Sequence, residues 1–221
     1  MRGALPWLAG GLVAGLLAFA PLRWALEQAG AARALAARDV TGSIWSGRLI
    51  DARMGGAPLG DLSARLLPAA LPRGAVEARL AGAAGSGTLV LAGGATGVRA
   101  LSARLDPLLA AAGAPVAQVE TQALSALFRA GRCVRAGGQV TATLGPPLPT
   151  GSQLAGQARC EGEALLLPLA GPAGETLGVH VRADRSFSAE LRLPGLDPAA
   201  LARLGLAPAP DGAALRVEGR L

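Results

Sequence analysis

Apolar and polar residues alternate with two different rhythms along this chain. Residues 4–22 (ALPWLAGGLVAGLLAFAPL) contain no charged side chain and are apolar throughout. As a helix the segment is roughly 28 Å long at about 1.5 Å per residue, close to the hydrocarbon thickness of a bilayer. After residue 40 the rhythm becomes period two, in short runs separated by Gly and Pro. In 59–67, Leu62, Ala64 and Leu66 share one face while Asp61, Ser63 and Arg65 share the other. In 75–80, Val76, Ala78 and Leu80 oppose Glu77 and Arg79. Leu101, Ala103 and Leu105 oppose Ser102 and Arg104, and Val140, Ala142 and Leu144 oppose Gln139, Thr141 and Thr143. One wet face and one dry face per run predict antiparallel sheet rather than buried parallel strands. The clearest hairpin spans 177–193, with Val179 and Val181 matched to Phe187, Ala189 and Leu191 across a turn at 183–186. A last strand is predicted over 214–221.

Two segments read as helix beside the apolar one. Residues 24–37 (WALEQAGAARALAA) are expected to continue it. In 197–204, Asp197 is a good N-cap, Pro198 suits the first helical position, and Gly205 can end the helix in the left-handed conformation. Leu201 and Leu204 would pack that helix on the sheet. The expected fold class is therefore mainly β: one N-terminal transmembrane helix, then an antiparallel sheet domain of sandwich, jelly-roll or open groove-like form, with a short helix in its C-terminal half. The boundaries are 1–3 for a cytoplasmic tail, 4–22 for the membrane helix, 23–40 for a helical extension or linker, and 41–221 for the β-rich domain.

In the predicted anchor, Leu12, Leu16 and Leu17 form the apolar body, and Trp7 and Trp24 lie near its ends, where amphipathic rings favour the interface. A cleaved signal peptide is the rival reading, since Ala18-Phe19-Ala20 resembles a small-x-small site. Pro21 directly after that site and a minimal basic start at Arg2 favour an uncleaved anchor. Arg23, Arg33 and Arg38 follow the segment, and that count alone would keep the domain in the cytoplasm. Large domains translocate largely regardless of charge, so the count does not fix the orientation.

Composition narrows the function classes. The hydrophobic share is 51%, much of it Ala, with 3 Phe, 3 Trp and no Tyr, so the core must be built from Leu, Val and Ala. The net charge is +6 and every one of the 21 basic residues is Arg. The arginines are spread singly and lack aromatic stacking partners, which argues against nucleic-acid binding. Cys133 and Cys160 are the 2 cysteines. In an extracytoplasmic domain such a pair points to a disulfide, and two unrelated buried thiols are the alternative. A bridge would close a loop of about 28 residues and contribute roughly 3 to 4 kcal/mol in the chain-entropy model. Metal binding is weakly supported, because no C-x-x-C pair occurs and His180 is the sole histidine. His180 falls on a polar strand face with Arg182. Glu161 and Glu163, at i and i+2, would share a strand face as a solvated pair. No G-x-S-x-G or P-loop and no nucleophile with a positioned base is found, so neither catalysis nor a cofactor is expected.

One segment is more specific. Residues 41–49 read TGSIWSGRL and open the β region. Gly42, Trp45, Ser46 and Gly47 there resemble the G-x-x-W-S-G signature of the type II secretion system protein N family. The following 57–74 (APLGDLSARLLPAALPRG) resembles that family's next strand and turn, with Ala64 or Arg65 where the family often has Trp. The spacing of Cys133 and Cys160 and the segment LDPAALARLGL are also similar. The resemblance implies a single-span inner-membrane protein with a periplasmic domain, an accessory part of a machine that moves folded proteins across the outer membrane. It implies other secretion-system proteins as partners. From the residues alone, Trp45 and Leu49 would share a strand face, with Trp45 a core residue or a partner hot spot, and Gly42 and Gly47 mark close backbone approach or a bulge. An alternative function is a lipid- or lipopolysaccharide-handling β groove.

Overall fold

The computed structural model describes residue 15 and residues 19–28, 35–54, 57–105, 115–146, 152–194, 207–209 and 212–220. Most of the predicted anchor, including Trp7, Leu12, Leu16 and Leu17, and the predicted helix at 197–204 lie outside the described residues. No helix among the described residues is long and apolar enough to cross a membrane.

A helix, α1 (Leu22–Gln28), precedes sixteen strands. These are β1 (Leu35–Ala36), β2 (Asp39–Ser43), β3 (Ser46–Met54), β4 (Ala57–Leu66), β5 (Ala75–Gly82), β6 (Gly85–Ala92), β7 (Ala95–Leu105) and β8 (Val116–Arg129). They continue as β9 (Arg132–Leu144), β10 (Gln153–Gln157), β11 (Arg159–Glu161), β12 (Ala164–Ala170), β13 (Thr176–Val181), β14 (Ser186–Pro194), β15 (Ala207–Ala209) and β16 (Gly212–Arg220). A 3-10 helix (Pro68–Arg73) joins β4 to β5 and ends on Gly74 in the left-handed region. The helix expected over 24–37 is described only as α1, Leu22–Gln28, and residues 29–34 lie outside the described residues. Leu35 and Ala36 instead pair with Met54 and Arg53, so strand pairing begins inside the segment read as a linker. The Ala-rich stretch has helix propensity, and the free edge of β3 overrides it.

All sixteen strands belong to one antiparallel sheet, laid out almost in chain order from β3 to β14. It is a single meander rather than the paired sheets of a sandwich or jelly roll. Sequential hairpins give the sheet two ends. The near end carries the β2–β3, β6–β7, β8–β9, β11–β12 and β13–β14 turns and the 3-10 helix; the far end carries the β5–β6 and β12–β13 turns.

The two-residue period places one apolar face across the whole sheet, because residues opposite one another in a ladder share a face. The row passes from Ala64↔Leu80 through Ala78↔Leu89 and Leu89↔Val98 to Val98↔Ala126. Further on it includes Ala142↔Leu154, Leu167↔Val179, Val179↔Ala189 and Ala189↔Val217. The opposite face is polar, as in Arg79↔Thr88, Glu120↔Thr141 and Glu190↔Arg216.

Bulges interrupt the ladders at Asp51, Ala100 and Ala123, whose φ values are 51°, 50° and 51°. Non-glycine residues reach this region at a cost of about 1 kcal/mol or more each. Each displaced amide finds a side chain on the neighbouring strand: Asp51 N donates to Asp61 Oδ1, Ala100 N to Ser125 Oγ, and Ala123 N to Ser102 Oγ, at 2.9–3.0 Å. Bulges raise local twist and bend the strand. The bent apolar face gathers into two cores. One joins α1 to β3 and β4 through Leu22, Leu49, Leu59 and Leu62; the other runs from β8 to β14.

Candidate functional site

The signature residues lie in a hairpin, not along a strand. Ser43 pairs with Ser46, so Ile44 and Trp45 form the turn between β2 and β3. Trp45 therefore does not share a β3 face with Leu49, which is fully buried; it sits half-buried in the turn. Gly42 and Gly47 face each other across the ladder, and Gly42 has φ 84°. A Cβ on Gly42 would collide with the Ser46 carbonyl oxygen, and one on Gly47 with Cδ2 of Leu22. The expected close backbone approach is present at Gly42; at Gly47 the nearest group is the Leu22 side chain, from the first residue of α1, with the Ser43 and Thr41 carbonyls about 3 Å away.

Backbone hydrogen bonds complete this joint. Ile44 N donates to the Ala20 carbonyl at 3.1 Å, and Leu66 N donates to the Ile44 carbonyl at 2.9 Å. Pro21 and Ser43 form an isolated bridge. The hairpin thus links the residues just before α1 to the end of β4, and Leu22 is buried against it. Ser46 is exposed, as is Trp24 in the first turn of α1. Sequence reasoning missed Leu22 and Ile44, because their role comes from a contact across more than twenty residues of chain.

A second feature lies between the two cores. Leu62, Leu80, Leu89, Val98, Leu101 and Leu105, from four consecutive strands, line a trough of about 170 Å³. Its walls are almost wholly apolar. A cavity of about 150 Å³ with aliphatic walls stays dry and admits a benzene-sized group, so the trough fits an apolar group of similar size. A polar ligand would lose its hydrogen bonds to water there without replacement.

Cys133 and Cys160 form a disulfide, with Cα atoms 5.5 Å apart. It lies where a ladder ends: β9 and β10 pair from Thr143↔Gln153 to Gln139↔Gln157 and no further. Beyond that point Ala158 N donates to the Gly138 carbonyl, Cys133 N donates to the Glu163 carbonyl at 3.0 Å, and the disulfide holds β11 to the start of β9.

The remaining ionisable groups are held apart. Glu161 and Glu163 do not share a strand face, because Gly162 turns the chain between them with φ 59°. Glu161 lies 3.8 Å from Arg159 and 3.9 Å from His180, whereas Glu163 pairs with Arg132 at 3.0 Å. His180 is half-exposed, opposite Ser188. The Asp184 carboxyl is held below its ordinary range, first by the Ser186 hydroxyl and then by the Ser186 amide, both donating to Oδ1. That is turn chemistry in the β13–β14 hairpin.

No curated protein and no solved structure matches the chain. A family model does match, over residues 33–215, and its description is type II secretion system protein N. The match begins just ahead of β1, takes in the signature hairpin, the trough and the disulfide, and ends within β16. The chain belongs to the type II secretion system protein N family, an accessory family of that envelope machine.

Proposed function

We propose that this accessory component is held in the inner membrane by residues 4–22 and acts in the periplasm by contact with other secretion-system proteins. The observation that supports it is the joint at the signature hairpin. Gly42 has no room for a side chain because the Ser46 carbonyl approaches it across the hairpin, and Gly47 has none because Leu22, the first residue of α1, is seated against it. The residues that mark the family thus couple the N-terminal segment to the β domain, which is what a scaffold needs to hold a surface at a set height and angle. Deleting the gene should lower secretion of folded substrates or the level of inner-membrane partners. Normal secretion with unchanged partner levels would sink the proposal.

The trough favours a second reading, a groove that takes an acyl chain. A peptide backbone lying in it would meet no hydrogen-bonding partners, whereas a hydrocarbon chain needs none. Native mass spectrometry of the full chain discriminates: stoichiometric lipid supports the groove, and its absence across preparations counts against it.

A further inference from the structure

The exposed large hydrophobic residues are not scattered. Among the described residues they are Phe19, Trp24, Leu71, Val76, Leu91 and Val134. Leu71 is in the 3-10 helix, Val76 is the second residue of β5, Leu91 is the penultimate residue of β6, and Val134 follows the β8–β9 turn. All four are therefore at the near end. Phe19 and Trp24 flank Ala20 and Leu22, which dock on the β2–β3 hairpin at that same end. Exposed apolar residues are ordinary when isolated, but six gathered at one end of a long sheet form an organised surface.

The arginines follow the same polarity. Arg73, Arg129, Arg132, Arg182, Arg185 and Arg220 lie in or beside near-end turns, where the described acidic residues are Glu77, Glu161, Glu163, Asp184 and Glu218; Glu77 and Glu218 are paired with Arg99 and Arg216. Arg132 pairs with Glu163, and Arg220 donates to the Asp184 carbonyl. Arg73, Arg129, Arg182 and Arg185 have no ion pair within 4 Å among the described residues; Arg73 donates to the Ala69 carbonyl and Arg182 acts on Asp184 at longer range, and Arg129 and Arg185 have no such contact. At the far end, the β5–β6 turn is uncharged and the β12–β13 turn holds Glu175 and no arginine. Arg53 and Arg104, toward the far end, are each matched by a carboxylate, Asp51 and Glu120.

We infer that the near end of the sheet rests on an anionic phospholipid surface, with Leu71, Val134 and Trp24 at the interface and Arg73, Arg129 and Arg182 on the phosphates. Apolar side chains mixed with unpaired arginines are the composition of an interfacial contact. The chain also leaves the sheet toward its apolar N-terminal segment from this end. The inference rests on the reading of residues 4–22 as a membrane span but not on the secretion role, which the deletion assay reads separately. The near end would then be unavailable to soluble partners, and the far end would be presented to them.

The test uses the full chain with a photo-crosslinking side chain at Leu71, Val134 or, as the far-end control, Ala83. Each version is reconstituted into vesicles of phosphatidylcholine alone or of phosphatidylcholine with phosphatidylglycerol. Lipid adducts are expected at Leu71 and Val134 well above those at Ala83. The yield should fall by more than about tenfold in neutral vesicles, or when Arg73→Ser, Arg129→Ser and Arg182→Ser are combined, since each phosphate contact contributes about fivefold. Unchanged circular dichroism checks that the combined variant folds. Flotation with equal yields at the two ends, or yields indifferent to lipid charge, overturns the inference alone. Failure to float with either vesicle overturns it together with the span reading.

Discussion

Removing the Cys133–Cys160 disulfide should destabilise the β domain by an amount its loop length sets. The bridge joins residues separated by 27 positions. For a closed loop of about 28 residues the chain-entropy model gives about −12 cal/mol/K, or roughly 3.6 kcal/mol at room temperature. The native side adds little to this, because Cys133 and Cys160 connect strands that the Cys133 amide and the Glu163 carbonyl already bring together. Replacing both residues by Ala keeps the small apolar volume at the buried Cys133 site. Guanidinium unfolding of the full chain in detergent, followed by circular dichroism, should therefore show a loss of about 3 to 4 kcal/mol with a steeper slope, because the unbridged unfolded chain is more expanded. For a chain of this size the melting midpoint should fall by roughly 7–14 °C. Amide exchange at Cys133 and Ala158 should quicken first, since the β9–β10 ladder stops at Gln139↔Gln157 and the bridge holds what lies beyond. A loss below about 1 kcal/mol would refute the loop argument and show that the unfolded chain is already constrained there.

Three other outcomes follow from the same structure. Gly47→Val should separate α1 from the hairpin, because its side chain would occupy the place of Leu22 Cδ2; a cost of about 1–3 kcal/mol and faster proteolysis within 20–28 are expected, and unchanged proteolysis would rule out the socket. Leu80→Asp puts an unpaired carboxylate in the apolar trough and should lower bound lipid by more than about tenfold in native mass spectra, in line with the cost of burying an unpaired polar group; equal occupancy would exclude the trough as the lipid site. The lowered pKa of Asp184 means that its contribution is present above the ordinary value of 3.8 and is lost as pH falls through the folded value. Asp184→Asn should therefore flatten the acid dependence of exchange at the Ser186 amide, and an unaltered profile would show that the Asp184–Ser186 contacts do not govern it.

The period-two alternation determined much about this chain by itself. Alternation is a local property, and it located the strands at 59–67, 75–80 and 177–193 and, at 59–67 and 177–193, their wet and dry faces, because side chains on a pleated backbone point to opposite sides in turn; at 75–80 Val76, predicted dry, is exposed, while Glu77 is covered where it pairs with Arg99. The two cysteines and the family signature were likewise legible. The signature's conformation was not. Ile44 and Trp45 form a two-residue turn without Gly or Asn, so nothing local distinguished them from strand. Glu161 and Glu163 looked like neighbours on one face until the left-handed Gly162 separated them. The helix expected over 24–37 lost its C-terminal part to pairing with β3. Tertiary structure alone decided that the strands form one sheet, that four of them line an apolar trough, and that the exposed hydrophobic residues, together with Arg73, Arg129, Arg182 and Arg185, lie at the end where α1 docks. Each of these depends on register between residues far apart in the chain, which is set by the packing of whole faces and by bulges such as those at Asp51, Ala100 and Ala123.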